Sequence, residues 1–178
     1  MAAGNGDNME PLPPEWEPYI ARSPYAMVEV VPWILFDTMS YFTNTTVEMN
    51  FFQKGMNNRL DKGISIQSNM YVPGMLPNPQ CFLIQSILIE GISTSLKHGI
   101  CRLQIGSKMI LNSPAWMFGL RERGFRLKPY VMIAPLMNFV FTIQWNVPCS
   151  IGPGLNEIWQ NTRDITVTLL GQWARPVQ

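Results

Sequence analysis

Short stretches in which apolar and polar residues alternate cover most of the chain, and turn residues separate them. TVEMNFF (46–52) and ISIQSNMYV (64–72) are two such stretches. Alternation with a period of two predicts strands with one buried and one exposed face. No window of a dozen residues keeps the spacing of an amphipathic helix, although ISTSLKHG (92–99) and GLNEIWQN (154–161) could each form a single helical turn. The predicted strands are residues 46–52, 64–72, 80–91, 100–111, 125–133, 138–147 and 164–173.

Two of these stretches differ from simple alternation. QCFLIQSILIEG (80–91) is almost continuously apolar, which predicts a strand buried on both faces. The preceding Pro73, Pro77 and Pro79 favour an extended connection into it that adds no strand. Residues 100–111 predict a hairpin in which Gly106-Ser107 is the two-residue loop, because glycine in the first position suits a type II′ turn.

The fold class follows from the number and spacing of the strands. Seven or eight short strands between loops rich in proline and glycine are typical of a β-sandwich or barrel. Doubly buried strands beside alternating ones favour two facing sheets. We therefore predict an all-β protein, with a single jelly-roll β-sandwich of about eight strands at residues 36–178.

The first 35 residues have a different character. Six prolines between residues 11 and 32 remove backbone donors, so neither a helix nor a central strand is expected there. Aromatic residues lie among the prolines, which predicts an extended arm that docks on its own domain or on a neighbouring copy. The candidates for an assembly interface are Trp16, Tyr19 and Trp33 in the arm and Trp173 and Arg175 near the C-terminus.

The composition favours a protein that buries surface against partners. Only 14% of the residues are charged, 47% are hydrophobic, and the formal net charge is +1. A monomer with so little charge would associate readily, because there is little electrostatic repulsion between copies. The same balance argues against a dedicated nucleic-acid binder, which needs a basic face.

The cysteines and the N-terminus give further expectations. Cys81, Cys101 and Cys149 are far apart and odd in number, which fits buried thiols better than disulfides or a zinc site. The first residues lack the basic and apolar regions of a signal peptide. No segment reaches the length of apolar residues that a membrane span needs.

Residues that could carry catalysis are sparse. His98 is the single histidine, so a cupin-like metal site is not expected. The carboxylates are scattered singly, and no spacing selects a pair for acid–base chemistry. No phosphate-binding or dinucleotide-binding motif is present. We therefore expect a protein that is not an enzyme, with no catalytic residues, metal, cofactor or small-molecule substrate.

One cluster of charges stands out in RERGFRLK (121–128). Arg121, Arg123, Arg126 and Lys128 surround Phe125. The functional interpretation is a basic patch that touches the phosphates of a genome or of lipid head groups. The structural interpretation, which we favour, is a solvated hairpin turn whose arginines pair with nearby acids.

Two segments resemble a known family. SNMYVPGMLPNPQCFLIQSILIEG (68–91) is similar to a pattern in the capsid proteins of tailless icosahedral bacterial viruses, and ITVTLLGQWARPVQ (165–178) resembles the end of such proteins. LQIGSKMILNSPAWMF (103–118) stands where that family has a hairpin and a proline-containing loop. Met75 departs from the pattern, which often has glutamine there. The matching positions are Pro73, Gly74, Leu76, Pro77, Pro79, Phe82, Gly171, Arg175 and Pro176.

The resemblance implies a structural capsid protein that assembles in the host cytoplasm into the shell of a bacteriophage virion. The chain is too short for the double jelly roll of some relatives, so a single jelly roll is implied. Its partners would be copies of itself, in trimers or hexamer-like capsomers. A second capsid protein, an inner membrane and the genome are further partners that the resemblance leaves open. It implies no catalytic residue.

Two alternatives remain open at this point. A minor virion protein at a vertex or spike base would have a similar sequence pattern, and only its copy number per particle separates it from a shell protein. A carbohydrate-binding β-sandwich module is the second alternative, because an exposed Trp116 or Trp159 could stack on a sugar ring.

Overall fold

The computed structural model describes residues 14–16, 28–42, 48–53, 60–61, 64–65, 67–91, 98–118, 124–145 and 162–176. Almost all regular structure in this part of the chain is β-strand, with short 3-10 turns at Pro14–Trp16 and Ala115–Met117. The strands are β1 (Val28–Phe42), β2 (Glu48–Phe51), β3 (Leu60–Asp61), β4 (Ile64–Ser65), β5 (Gln67–Ser68), β6 (Cys81–Glu90), β7 (Ile100–Ile105), β8 (Lys108–Pro114), β9 (Phe125–Ile133), β10 (Phe139–Gln144) and β11 (Thr162–Pro176).

Two antiparallel sheets pack face to face. The five-stranded sheet has the order β5-β1-β11-β6-β9, and the four-stranded sheet has the order β2-β10-β7-β8. The short β3 and β4 pair with each other outside both sheets. Apart from the β7–β8 hairpin, successive long strands alternate between the sheets, and the first long strand lies beside the last. This order is that of a jelly roll. The all-β sandwich predicted from the sequence is confirmed.

The main core lies between the sheets and is rich in aromatic residues. Phe51, Phe118 and Phe141 are fully buried and meet edge to face, with ring centroids 6.5 Å apart for Phe51–Phe141 and 6.0 Å apart for Phe118–Phe141. Burial of such a side chain contributes about 1.5–3 kcal/mol. On β11 the inward positions Ile165 and Leu169 alternate with exposed or half-buried ones, as the sequence pattern predicts.

Strand β6 is buried on both faces over its first four residues, Cys81–Ile84, as the continuous apolar run predicts. The reason is that Trp16 covers its outer face there. Gln85 is a bulge residue: the register of β6 against β11 and against β9 shifts at this position. The bulge changes which residues face inward, since Ile84 and Ile87 both belong to the main core.

The predicted hairpin is confirmed. Ile105 of β7 pairs with Lys108 of β8, which leaves Gly106-Ser107 as the loop. Gly106 has a φ of 57°, a left-handed conformation that glycine adopts without steric cost.

The structure differs from the prediction at the start of the sandwich. Strand β1 begins at Val28, so residues 28–35 of the predicted arm belong to the sheet. The expectation that Pro32 excludes a central strand is wrong here. Strand β5 pairs with β1 only at Asp37 and Thr38, so the edge of β1 beside Pro32 needs no backbone donor.

The predicted strand at residues 64–72 is regular only in its first half. Only Ile64–Ser65 and Gln67–Ser68 are strands. The Asn69 side chain then replaces the backbone ladder: its Oδ1 accepts from the Phe36 N–H at 2.9 Å, and its Nδ2 donates to the Ile34 carbonyl at 2.8 Å. A side chain that occupies backbone groups in this way ends a strand. The predicted helical turns lie mainly outside the described residues.

Candidate interaction surfaces

Trp16 is fully buried against the outer face of the five-stranded sheet. Its ring packs with Cys81, Leu83 and Ala174, and its Nε1 donates a hydrogen bond to Gln172 Oε1 at 2.9 Å. We call this group the Trp16 cluster. Trp16 was predicted as an interface candidate, but its side chain has no surface left for a neighbouring copy. This part of the predicted arm is docked on its own subunit.

Trp33 and Trp173 form a second aromatic pair, on neighbouring strands β1 and β11. Their ring centroids are 5.2 Å apart in an edge-to-face arrangement. Trp173 is half-buried and packs against the main core, whereas Trp33 remains 45% exposed. Trp33 is therefore the interface candidate that offers its ring to a partner. Tyr19, the remaining aromatic candidate, lies outside the described residues.

An apolar hollow lies beside Trp33 on the five-stranded sheet. Its volume is about 410 Å³, and none of the described residues that line it is charged. Ile34 is 46% exposed and Pro32 is also exposed, although both are apolar. We call Pro32, Trp33, Ile34 and Leu170 the apolar patch. Exposed apolar surface without charge is typical of a contact between proteins.

The outer face of the four-stranded sheet is polar along β2 and the adjacent part of β10, whereas Ile100 and Met109 are exposed on β7 and β8. Asn50 Nδ2 donates to Glu48 Oε1 at 3.0 Å, and Thr142 Oγ1 donates to Asn50 Oδ1 at 2.8 Å. Amide and hydroxyl groups that bond to one another across strands remain compatible with water. This face is thus chemically distinct from the apolar patch.

Arg175, the last interface candidate, is already paired. Its Nε donates to Glu29 Oε2 at 2.9 Å, across the β1–β11 register that places the two residues opposite each other. Both side chains are largely exposed, so water screens the pair and it adds at most about 1 kcal/mol to stability. The pair links the start of β1 to the end of β11.

The predicted basic patch falls partly outside the described residues, because Arg121 and Arg123 are not among them. Arg126 and Lys128 are exposed on β9 and line a groove of about 850 Å³. Lys108 of β8 lines the same groove from the other sheet. Sequence reasoning missed Lys108, because its distance along the chain gives no sign that it lies near Arg126.

The first family-like segment connects the loops at one end of the sandwich. The Gly74 N–H donates to the Phe52 carbonyl at 2.6 Å, and the Gly74 carbonyl accepts from the Phe139 N–H at 2.7 Å. Gly74 has a φ of 64°, and an added Cβ would lie 2.9 Å from Gln53 Nε2. Only glycine fits this position without displacing a neighbour.

Buried Asp37 extends this network. Its Oδ2 accepts from the Phe52 N–H at 2.5 Å, which supports the left-handed backbone of Phe52, with a φ of 67°. Leu76 is buried beside it, and its carbonyl accepts from the Leu136 N–H at 2.9 Å. These bonds fix the loop end of the sandwich, so the motif residues Gly74 and Leu76 have structural roles.

The second family-like segment contains a glycine with no space for a side chain. A Cβ added to Gly171 would lie 1.9 Å from the Leu83 carbonyl oxygen and 3.2 Å from the ring of Phe82. Phe82 is itself fully buried. Gly171 and Phe82, two positions of the family pattern, therefore lie close together where β11 pairs with β6 beside the bulge.

The groups with catalytic potential are placed as follows. Among the described residues, no cluster of three or more histidine, cysteine or acidic side chains could hold a metal. His98 is exposed. Burial raises the pKa of Cys81 to about 11 and that of Cys101 to about 12, so both thiols stay protonated at neutral pH. Both are buried and unbridged, as predicted, and Cys149 lies outside the described residues.

The described part of the chain has no helix that is long and apolar enough to cross a membrane. No family model and no curated protein matches the chain.

Proposed function

We propose that this chain is a structural capsid protein whose copies assemble into the icosahedral shell of a bacterial virus. The fold is compatible with this function, because jelly rolls are a common architecture of viral capsid proteins. Fold alone does not define function. The proposal therefore also rests on the family-like segments and on the surfaces of the sandwich.

The observation that carries the proposal is the apolar patch. Pro32 and Ile34 are exposed on the outer face of β1, beside a hollow whose described lining carries no charge, whereas Trp33 between them turns its half-exposed ring to the other side of the strand, towards Trp173. A monomer gains nothing from such a surface, whereas a neighbouring copy would remove it from water. A stable contact buries roughly 800 Å² on each partner. The patch would form the apolar centre of that contact, with a polar rim around it.

The family-like residues support the same proposal in another way. Gly74, Leu76, Phe82 and Gly171 all occupy positions where backbone or core geometry limits the side chain. Each copy in a closed shell must have nearly the same shape, since symmetric contacts repeat throughout. A sandwich whose loop end is fixed by backbone hydrogen bonds meets this requirement.

The proposed location is the virion, and the proposed partners are copies of the chain in trimers or hexamer-like capsomers. The test is the mass of the purified protein, measured by light scattering over a range of concentration and salt. Electron microscopy of the heaviest fraction completes it. We expect trimers, hexamers or closed shells. A clean monomer under every condition would contradict the proposal.

A matched pair of variants links the assembly to the surface. Ile34→Asp places a charge in the apolar patch, whereas Thr142→Asp places the same charge on the polar face of the other sheet. We expect only the Ile34 variant to lose the heavy species while both remain folded. Equal behaviour of the two variants would show that the apolar patch is not the contact.

An exposed tryptophan favours a carbohydrate-binding module as the second candidate. Trp116, in the 3-10 turn after β8, is 46% exposed. If the monomer binds glycans and Trp116→Ala removes that binding, this candidate replaces the first. Trp159 lies outside the described residues. A minor virion protein remains a variant of the main proposal, and the copy number per particle separates the two.

A further inference from the structure

A groove opens along one side of the sandwich, between the edge strands of the two sheets. Strand β8 ends the four-stranded sheet and β9 ends the five-stranded sheet. Their residues line a space of about 850 Å³, bounded by Lys108–Leu111 on one side and Phe125–Met132 on the other. Each strand has one edge without a partner strand among the described residues. Open edges of this kind invite pairing with another extended segment.

Irregular pairing makes the groove wide. The register of β8 against β7 shifts between Leu103 and Gln104, and Ile110 is the extra residue. The register of β9 against β6 shifts between Ile84 and Ser86, so residues 127–130 lie opposite a single residue. Bulges bend a strand away from its sheet. Since the two bulges face the same groove, they hold the edges apart.

The groove combines an apolar floor with a basic rim. Leu127 is buried, and Phe125 and Val131 are half-buried, whereas Lys108, Arg126 and Lys128 are exposed. Among the described residues that line the groove, none is acidic. Within the described part of the chain none of the three cations forms an ion pair. The chemistry therefore favours an extended segment that carries carboxylates and a few apolar side chains.

The groove is continuous with the Trp16 cluster. Tyr130 and Met132 line the groove, and both also pack against the cluster. Pro14, the first described residue, lies two positions before Trp16, so the segment that precedes it is tethered within a few residues of this cluster. This segment, MAAGNGDNMEPLP (1–13), contains Asp7 and Glu10 and no lysine or arginine. Met9 and Leu12 each lie two positions after one of these acids.

The length of this segment suits the groove. Thirteen extended residues span at most about 45 Å. The eight residues of β9 that line the groove extend over about 27 Å. A segment tethered next to the groove also has a high effective concentration, so it binds its own subunit before a free copy can.

We propose that residues 1–13 bind in the β8–β9 groove of their own subunit. Because side chains alternate along an extended segment, Asp7 and Met9 face one wall of the groove and Glu10 and Leu12 face the other, and each wall offers at least one cation and apolar side chains. The bound segment shields both open edges from pairing with other chains. This inference concerns a single subunit, so it can fail while the capsid proposal holds, and the reverse is also true.

Zero-length cross-linking tests the proposal directly. A carbodiimide joins a carboxylate to an amine only when the two groups are in contact. The full chain is prepared in unlabelled and in nitrogen-15 form, the two are mixed, and cross-linked peptides are identified by mass spectrometry. We expect links from Asp7 or Glu10 to Lys108 or Lys128 in which both peptides carry the same label. Links between unlike labels would place the segment on a second copy, and absence of these links would remove it from the groove.

Hydrogen exchange gives an independent measurement on the full chain. In the double variant Asp7→Asn with Glu10→Gln, backbone amides of β8 and β9 should exchange about fivefold faster, because two exposed charge pairs are lost. Amides of β10 serve as the internal reference. Glu90→Gln is the matched control, since Glu90 is an exposed acid at the far end of β6 and does not line the groove. Equal exchange in the double variant and in wild type would overturn the proposal.

Discussion

The outer faces of the two sheets differ, although both belong to one sandwich. The four-stranded sheet presents Glu48, Asn50 and Thr142, which bond to one another. The five-stranded sheet presents the Trp16 cluster at one end and exposed Ile34 in the apolar patch. The β2–β10 part of the first face is suited to water, although Ile100 and Met109 are exposed on β7 and β8. The other is covered in part by the chain's own N-terminal region and left apolar elsewhere.

This contrast shows how a protein with few charges distributes its apolar surface. Three strands of the four-stranded sheet, β2, β7 and β10, follow simple alternation of buried residues with more exposed ones. The five-stranded sheet contains β6, whose first residues are buried on both faces. Surface that its own subunit leaves uncovered, around Ile34, is where a partner would bind. The following predictions test this division.

The largest effect is expected at Gly171, where β11 pairs with β6 beside the bulge. Gly171→Ala places a Cβ within 1.9 Å of the Leu83 carbonyl oxygen, so two backbones in the five-stranded sheet must separate. We expect a loss of about 4 kcal/mol or more in the free energy of unfolding, measured by urea denaturation. Gly106→Ala is the control, because the added Cβ meets only Met137 Cγ at 3.9 Å. In this control the only expected cost is that of placing alanine in a left-handed backbone conformation, about 1 kcal/mol.

Removal of the covering side chain should rank second. Trp16→Ala deletes a fully buried ring and its hydrogen bond to Gln172, which should lower the free energy of unfolding by about 3 kcal/mol. Trp33→Ala removes a half-exposed ring and should cost about 1 kcal/mol while weakening assembly. The comparison fails if the two variants lose equal stability, since Trp16 would then contribute no more than a surface residue.

A smaller effect on stability, with a large effect on assembly, is expected in the apolar patch. Ile34→Asp should change the free energy of unfolding by about 1 kcal/mol or less, because the side chain is already largely in water. Its heavy species should be lost in light scattering. Thr142→Asp lies between Asn50 and Arg102 on the polar face and should assemble normally. Assembly lost in Thr142→Asp but retained in Ile34→Asp would reverse the roles of the two faces.

The smallest effects concern the two buried thiols. Cys81 lies in the Trp16 cluster and Cys101 lies in the main core. In the folded state Cys81 and Cys101 have pKa values of about 11 and 12, above the ordinary 9.0. The folded protein therefore holds these protons longer than the unfolded chain, and the free energy of unfolding should fall as the pH rises from about 9 towards 12. Denaturation measured over this range checks the direction, and Cys101→Ala should flatten the slope.

Thiol alkylation separates the two sites. Trp16→Ala uncovers Cys81 but leaves Cys101, which lies in the main core. We expect Cys81 alone to react faster in this variant at about pH 8, since access and thiolate character control the rate. Equal acceleration at both cysteines would indicate global loosening instead of an exposed outer face.

Much of the fold could be predicted because the signals are local. The alternation at residues 125–133 coincides with β9, and the turn at Gly106-Ser107 was placed correctly. The predictions of strand extent were wrong where a contact distant in the sequence overrides the preference of the local residues. Pro32 lies in a strand because the edge beside it has no partner strand within the described ranges, and Asn69 ends one because its side chain reaches β1.

The candidate site was predicted less completely than the fold. Trp33, Arg126 and Lys128 are exposed, as a surface candidate must be. Trp16 had the same signature in the sequence and is buried in its own subunit. An exposed and a docked tryptophan cannot be told apart by their neighbours in the chain. Lys108 gave no signal, because the groove joins two sheets.

By itself, the sequence determined the class of fold and the extent of most strands, since the period of side chains along a strand is set by covalent geometry. Tertiary structure decided which strands became neighbours. Thr38 and Thr166 are 128 positions apart, yet their hydroxyl groups bond at 2.9 Å. Contacts of this kind depend on the packing of the whole sandwich. The apolar patch, the docked Trp16 and the basic groove all arise from such contacts, which is why only the folded chain defines them.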